Sequence, residues 1–219
     1  ITVTGINDAP VAQNDVGVIN EDATLTVSNS ANANVSGSYD ATGEHSGDVI
    51  NTSSSSHTDS DPDDSASLVV SAIRTGGTEG SGTAGSIGSA LTGTYGQLTI
   101  AANGSYSYVA NQSAADDLDA GDSATDVFNY TLSDGTATDI GTITITVLGL
   151  NDPVVATNDT GSVNEDATLT VSDGSGDIIA NNDTDADDSA SLVVSAIRLG
   201  GTEGSGTAGT LGQALTGTY

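Results

Sequence analysis

The sequence predicts an all-β protein made of tandem β-sandwich modules. Three observations carry the expectation: apolar residues alternate with period two, Gly, Asn and Asp punctuate that alternation, and long stretches of the 219-residue chain recur. A period of two places successive side chains on opposite faces of a strand, so one face meets a core and the other meets water.

Seven runs have this pattern: Val11 to Val18, Ala23 to Val27, Leu68 to Arg74, Tyr95 to Ile100, Ser105 to Val109, Asp126 to Leu132 and Thr138 to Val147. Leu25 and Val27, Leu98 and Ile100, Tyr106 and Tyr108, Phe128 and Tyr130, then Ile143, Ile145 and Val147 are expected inside, with Thr and Ser alternating outward. Leu68 to Ile73 is apolar on both parities, so its facing stays open. Asn103-Gly104 and Asp134-Gly135 supply tight turns. Ala114, Ala115 and Leu118 recur at helical spacing, so Ala110 to Ser123 holds the one expected helical turn, crossing between sheets. Seven short strands suit an Ig-like sandwich.

The repeat defines the organisation. ITVTG at Ile1 to Gly5 returns as ITVLG at Ile145 to Gly149, and NEDATLTVS at Asn20 to Ser28 returns at Asn164 to Ser172, both 144 residues on. SASLVVSAIR at Ser65 to Arg74 returns at Ser189 to Arg198, and GGTEGSGTAG at Gly76 to Gly85 returns at Gly200 to Gly209, but 124 residues on. The first copy therefore carries 20 extra residues within 29–61, a Ser-, Asn- and Gly-rich surface loop. The expected layout is the last strand of a preceding repeat and a linker over 1–8, a complete repeat over 9–148, a linker over 149–158, and the first half of the next repeat over 159–219. Tyr219 matches Tyr95, so the second half-module is completed either in cis or by another chain.

Composition excludes several function classes. Thirty Asp and Glu stand against Arg74 and Arg198, with no Lys, and the formal net charge is -28. Nucleic acid and anionic membrane surfaces require clustered basic residues, so neither is an expected partner. The absence of Cys removes disulfides, thiolate metal sites and a cysteine nucleophile. No run approaches the roughly 20 apolar residues that span a bilayer, so no membrane insertion is expected. His45 and His57 both fall in the insertion without counterparts, which rules out a repeated histidine site. An enzyme is not expected: active sites are rarely duplicated with their scaffold, and no nucleophile-base pair or phosphate loop is visible. GGTEGSGTAG lacks a strand-to-helix context and reads as a mobile hairpin loop. The two arginines, each closing the same strand, read as local partners for nearby carboxylates.

GINDAPVAQND at Gly5 to Asp15, the NEDATLTVS box, NNDTDADD at Asn181 to Asp188, SAIRTGGTEGSGTAG from Ser71 and the terminal ITITV strand together resemble the bacterial VCBS repeat family, relatives of cadherin-like modules. The run Ser53 to Ser56 departs from the family's approach to the acidic loop. The resemblance implies cadherin-like sandwiches in very large RTX-type surface proteins that leave by type I secretion. It also implies an extracellular or cell-surface location and roles in adhesion and biofilm.

The acidic clusters give that reading a chemistry. Calcium takes six to eight hard oxygens, and alternating aspartates on a turn supply them. Asp59, Asp61, Asp63 and Asp64 have the spacing in one copy, and Asp183, Asp185, Asp187 and Asp188 in the other. Neither set is an EF-hand, because the turn glycine and the closing glutamate are missing. In a seven-strand sandwich this loop lies where the chain enters, beside Asp134. Asn7, Asp8, Asn14 and Asp15 are expected to converge on the Asp59 loop, and Asn151, Asp152, Asn158 and Asp159 on the Asp183 loop. Glu21, Asp22, Asp116, Asp117, Asp119 and Asp122 lie at the opposite end, as solvated turn carboxylates or as ligands of the next junction. The expected function is a non-catalytic, calcium-rigidified stalk spacer of an adhesin, whose partners are neighbouring repeats of the same polypeptide. The alternative is a subunit of a self-assembling extracellular filament or sheath with strand exchange between chains.

Overall fold

A computed structural model describes residues 2, 4–28, 35–36, 47–51, 57–63, 66–172, 177–180, 182–187 and 191–217. The chain forms two compact units, Ile1–Asn151 and Asp152–Tyr219.

In the first unit two five-stranded sheets face each other. One runs in the order β1 (Asp15–Asn20), β10 (Thr138–Leu148), β9 (Ser123–Ser133), β4 (Val69–Thr75), β5 (Ala84–Gly85). The other runs β3 (Val35–Ser36), β2 (Thr24–Val27), β8 (Tyr106–Val109), β7 (Gln97–Ile100), β6 (Leu91–Thr92). A single helical turn, α1 (Ser113–Asp116), lies on the crossing from β8 to β9, where the Ala/Leu spacing puts it. All neighbours pair antiparallel except β1, which runs parallel to β10 from Asp15 opposite Ile143 to Asn20 opposite Leu148.

The expected inward residues form the core. Leu25, Val27, Leu98, Ile100, Tyr108, Phe128, Tyr130, Ile143, Ile145 and Val147 are all at most 1% exposed, and Tyr106 is buried with them. Tyr108 and Phe128 meet edge to face across the sheets, the arrangement their ring quadrupoles favour. A register shift between Val70 and Ala72 explains why Leu68 to Ile73 is apolar on both parities. The bulge puts two residues opposite one, so Val70 and Ile73 both point inward while Val69 stays exposed. Gly135, at φ +94°, makes the β9–β10 turn in a conformation that L side chains avoid.

The observed strands depart from the expected ones in three places. The first strand begins at Asp15 and not at Val11, because Val11 pairs instead with Ser60 of the acidic loop through N–H to O contacts of 2.7 and 3.1 Å. The chain thus changes partner between Val11 and Asp15. The two-residue strands β3, β5 and β6 are too short to show a period. Residues 2 and 4–10 carry no strand, while Ile1 and Val3 lie outside the described residues.

The second unit contains one described hairpin, β11 (Arg198–Leu199) with β12 (Thr207–Ala208), the counterpart of β4 and β5. Val155 bridges Thr184 as Val11 bridges Ser60.

Candidate cation site at the incoming linker

The expected ligands of the first unit divide into an outer and an inner group. The outer group lies where the linker meets two loops. Asp134 sits in the β9–β10 turn, its Oδ1 accepting the N–H groups of Thr136 at 2.6 Å and Ala137 at 2.7 Å. Its Oδ2 accepts the Asn7 side-chain amide at 3.0 Å. These donors, the Ala137 N–H foremost, hold the Asp134 carboxyl below the usual range. Asp8 donates its N–H to Asp63 Oδ2 at 3.0 Å, and Asp63 donates its own to Asp61 Oδ1 at 2.7 Å. The second oxygen of Asp61 is buried without a hydrogen-bond partner. Asn7, Asp63 and Asp134 line an open depression of about 590 Å³ with Gly5 and Ser67.

The inner group is buried. Asp15 is 1% exposed and Asp59 is 6% exposed. Asp59 Oδ1 accepts the Gln13 N–H at 2.7 Å. The Tyr130 hydroxyl stands among Gln13 O at 2.8 Å, Asp15 Oδ2 at 3.1 Å, Val49 O at 3.1 Å and the Asp59 oxygens at 3.2 and 3.3 Å. Gly141 makes the space, since a Cβ there would lie 2.7 Å from both Gln13 O and the Tyr130 hydroxyl. Burial pushes the Asp59 carboxyl up to about 7, and the charges of Asp139 and Asp48 add to the shift against the Gln13 N–H and the Tyr130 hydroxyl. Burial and the adjacent Asp15 and Asp59 raise Tyr130 as well, so its hydroxyl remains a donor. Asn14 takes neither place: it is exposed, its Oδ1 accepts the Thr142 N–H at 3.0 Å, and its carbonyl meets His57 Nδ1.

The second unit repeats the linker-to-loop bonds. Asp152 N–H reaches Asp187 Oδ2 at 3.1 Å, Thr157 N–H reaches Asp183 Oδ1 at 2.7 Å, and Asp187 N–H reaches Asp185 Oδ1 at 3.1 Å. Asp187 Oδ1 is a buried oxygen without a partner. Asn158 and Asp159 are exposed, and Asn151 belongs to the first unit. Asp64, Asp188 and the run Ser53 to Ser56 lie outside the described residues. Among the described residues, no three His, Cys, Asp or Glu side chains stand grouped to hold a metal ion.

Sequence reading missed Asp48, Asp139 and the role of Tyr130. Asp48 is fully buried and its Oδ1 accepts the N–H groups of Ile50 at 2.9 Å and Asn51 at 2.7 Å. Asp177 does the same for Ile179 at 2.8 Å and Ala180 at 2.7 Å. The signal was present: GDVI at Gly47 to Ile50 recurs as GDII at Gly176 to Ile179, 129 residues on. The displacement thus falls from 144 to 129 and then to 124, which splits the insertion into pieces of 15 and five residues. Asp139 accepts the Ala12 N–H at 2.9 Å.

Two other expectations need correction. Arg74 donates to the Gly82 carbonyl at 3.1 Å and Arg198 to the Gly206 carbonyl at 3.4 Å, so each guanidinium closes its own glycine-rich hairpin, and among the described residues neither pairs with a carboxylate. That hairpin is fastened in the first unit. Buried Asn129 donates to Gly76 O at 2.9 Å and Ser81 O at 3.1 Å and accepts from Gly80 N at 3.1 Å. At the opposite end Glu21 is buried, 2% exposed, and accepts the Leu150 N–H, which ties the outgoing linker to the turn after β1.

An antiparallel sandwich with a parallel first strand and an acidic loop bonded to its incoming linker defines the cadherin-like class of domain. Residues 7–149 match the family model of the bacterial cadherin-like domain, and the chain belongs to that family. A search of curated proteins finds no match. Domains of this class are typically non-catalytic, generally bind calcium and suit adhesin-type repeat modules of extracellular or surface proteins. Among the described residues no helix is long and apolar enough to cross a membrane.

Proposed function

We propose that this chain is a non-catalytic, calcium-stiffened spacer in the stalk of a secreted or cell-surface adhesin. The observation that carries the reading is the linker-to-loop bonding found in both copies, with one buried, partnerless carboxylate oxygen in each loop. Calcium fits this donor set in chemistry: Asp8, Asp61, Asp63 and Asp134 offer carboxylate oxygens and Asn7 an amide oxygen, with no imidazole or thiolate among them. Asp152, Asp185 and Asp187 are their second-copy equivalents. The ion would supply positive charge between carboxylates that otherwise repel, and the linker would close on it. Asp15 and Asp59 support this closure from inside and are not ligands in this reading.

Extracellular modules bind calcium with dissociation constants of roughly 0.1 to 1 mM, so about 1 mM calcium occupies roughly half to nine-tenths of such sites. At a hundred-fold excess each site adds about 2.7 kcal/mol to stability. Titrating calcium into the chain should raise its thermal midpoint and increase the maximum dimension measured by small-angle scattering. Unchanged melting and scattering at millimolar calcium would defeat the proposal.

A further inference from the structure

We propose that the Tyr130 hydroxyl is the positioning group that fixes the incoming linker against the acidic loop, and so sets how tightly the outer oxygens hold a divalent cation. The inference rests on the calcium reading above and names the residue through which that site is held in shape.

The geometry points to Tyr130 because its hydroxyl joins three separate segments. Gln13 and Asp15 come from the linker and β1, Val49 from the turn at 47–51, and Asp59 from the acidic loop, all within 3.3 Å. The tyrosine ring itself is fully buried in the core, so its hydroxyl is held from the packed interior of the unit. A hydroxyl carries one proton and accepts through its lone pairs, so it is the group that lets these oxygens approach one another. Removing it takes away the donor that these oxygens from three segments share at low dielectric, which is costly. Asp61 and Asp63 follow Asp59 by two and four residues, and Asp8 lies five before Gln13. Displacement of the Gln13–Asp59 contact therefore moves both sides of the outer depression. The second unit retains the Thr157 to Asp183 bond at 2.7 Å, but Asp183 is only half-buried where Asp59 is 6% exposed.

The test uses the 219-residue chain. Tyr130→Phe removes one oxygen and keeps the ring that fills the core. Tyr108→Phe is the control, because that hydroxyl donates to Asp126 at 2.6 Å, eight residues along β9 from the Asp134 turn. Calcium binding is measured by calorimetry and Gln13 amide exchange by NMR, with and without calcium. Tyr130→Phe should weaken calcium binding about tenfold at the first-unit site and speed Gln13 exchange by at least as much, the factor expected for one hydrogen bond to a charged group. Tyr108→Phe should lower the melting point and leave both readouts alone. Gly141→Ala, which crowds the same hydroxyl from β10, should reproduce the loss and replaces Tyr130→Phe if that variant does not fold. Wild-type affinity and wild-type Gln13 protection in folded Tyr130→Phe would overturn the inference. If the wild-type chain itself takes up no calcium, the calcium reading fails instead, and unchanged Gln13 exchange in calcium-free Tyr130→Phe still overturns the positioning role.

Discussion

The two copies of TLTV are identical in sequence and opposite in state. In the first unit Leu25 and Val27 are 0% and 1% exposed within β2, whereas in the second Leu169 and Val171 are 51% and 54% exposed and carry no strand. Ile73 and Ile197 differ in the same way, at 2% and 43%. The cause is not local, since propensity and alternation are the same in both. β2 pairs with β8, and β1 pairs with β10. Both partners come from 97–148. Strand formation here is a property of the covered sheet, as expected when β propensity measures fit to neighbours. The linker-to-loop bonds survive in both copies because both of their ends lie in stretches that the two copies share.

The largest test of this contrast is to append a second copy of Gly96 to Gly149 after Tyr219. Amide exchange at Leu169 and Val171 should slow by several orders of magnitude, toward the rate set by global opening. Exchange that stays fast would show that something other than the covering strands separates the copies. Next in size is a pair of truncations. Leu25→Ala should cost about 2–5 kcal/mol in the urea unfolding of the first unit, while Leu169→Ala should stay within about 0.5 kcal/mol in the present chain. Equal costs would break the comparison.

A smaller effect concerns the first acidic loop and pH in calcium-free solution. The Asp59 carboxyl has its ordinary value of 3.8 when unfolded and about 7 when folded, so the folded state favours the protonated form. Its contribution to stability is fully present below about pH 4 and is lost as pH rises toward 7. The urea midpoint of the first unit should therefore fall across that window, and Asp59→Asn should flatten the slope. A midpoint that rises there, or one that Asp59→Asn leaves unaltered, would assign the dependence to other groups.

Most of the fold was legible because alternation and turn glycines are local signals: the seven longer strands and the helical turn occur in the expected order, the first of them starting only at Asp15. Val11 misled because an apolar residue reads as strand whether it joins a ladder or a single bridge. The candidate site was legible by half: Asn7 meets Asp134 and Asp8 meets Asp63, but spacing alone does not distinguish a carboxylate at the surface from one beneath it, and so it did not show Asp15 and Asp59 buried around the Tyr130 hydroxyl. Tyr130 was read as core, correctly for its ring; the destination of its hydroxyl depends on segments up to 117 residues away. Asp48 was hidden because the insertion was treated as one block, although the GDVI and GDII boxes divide it.

The parallel pairing of β1 with β10 has a mechanical consequence. The chain arrives along one of these strands and departs along the other, with six residue pairs in register between them. Tension along the polypeptide pulls the two strands past each other lengthwise, so the ladder is loaded in shear. Its bonds must then rupture together and cannot peel open one at a time from an end.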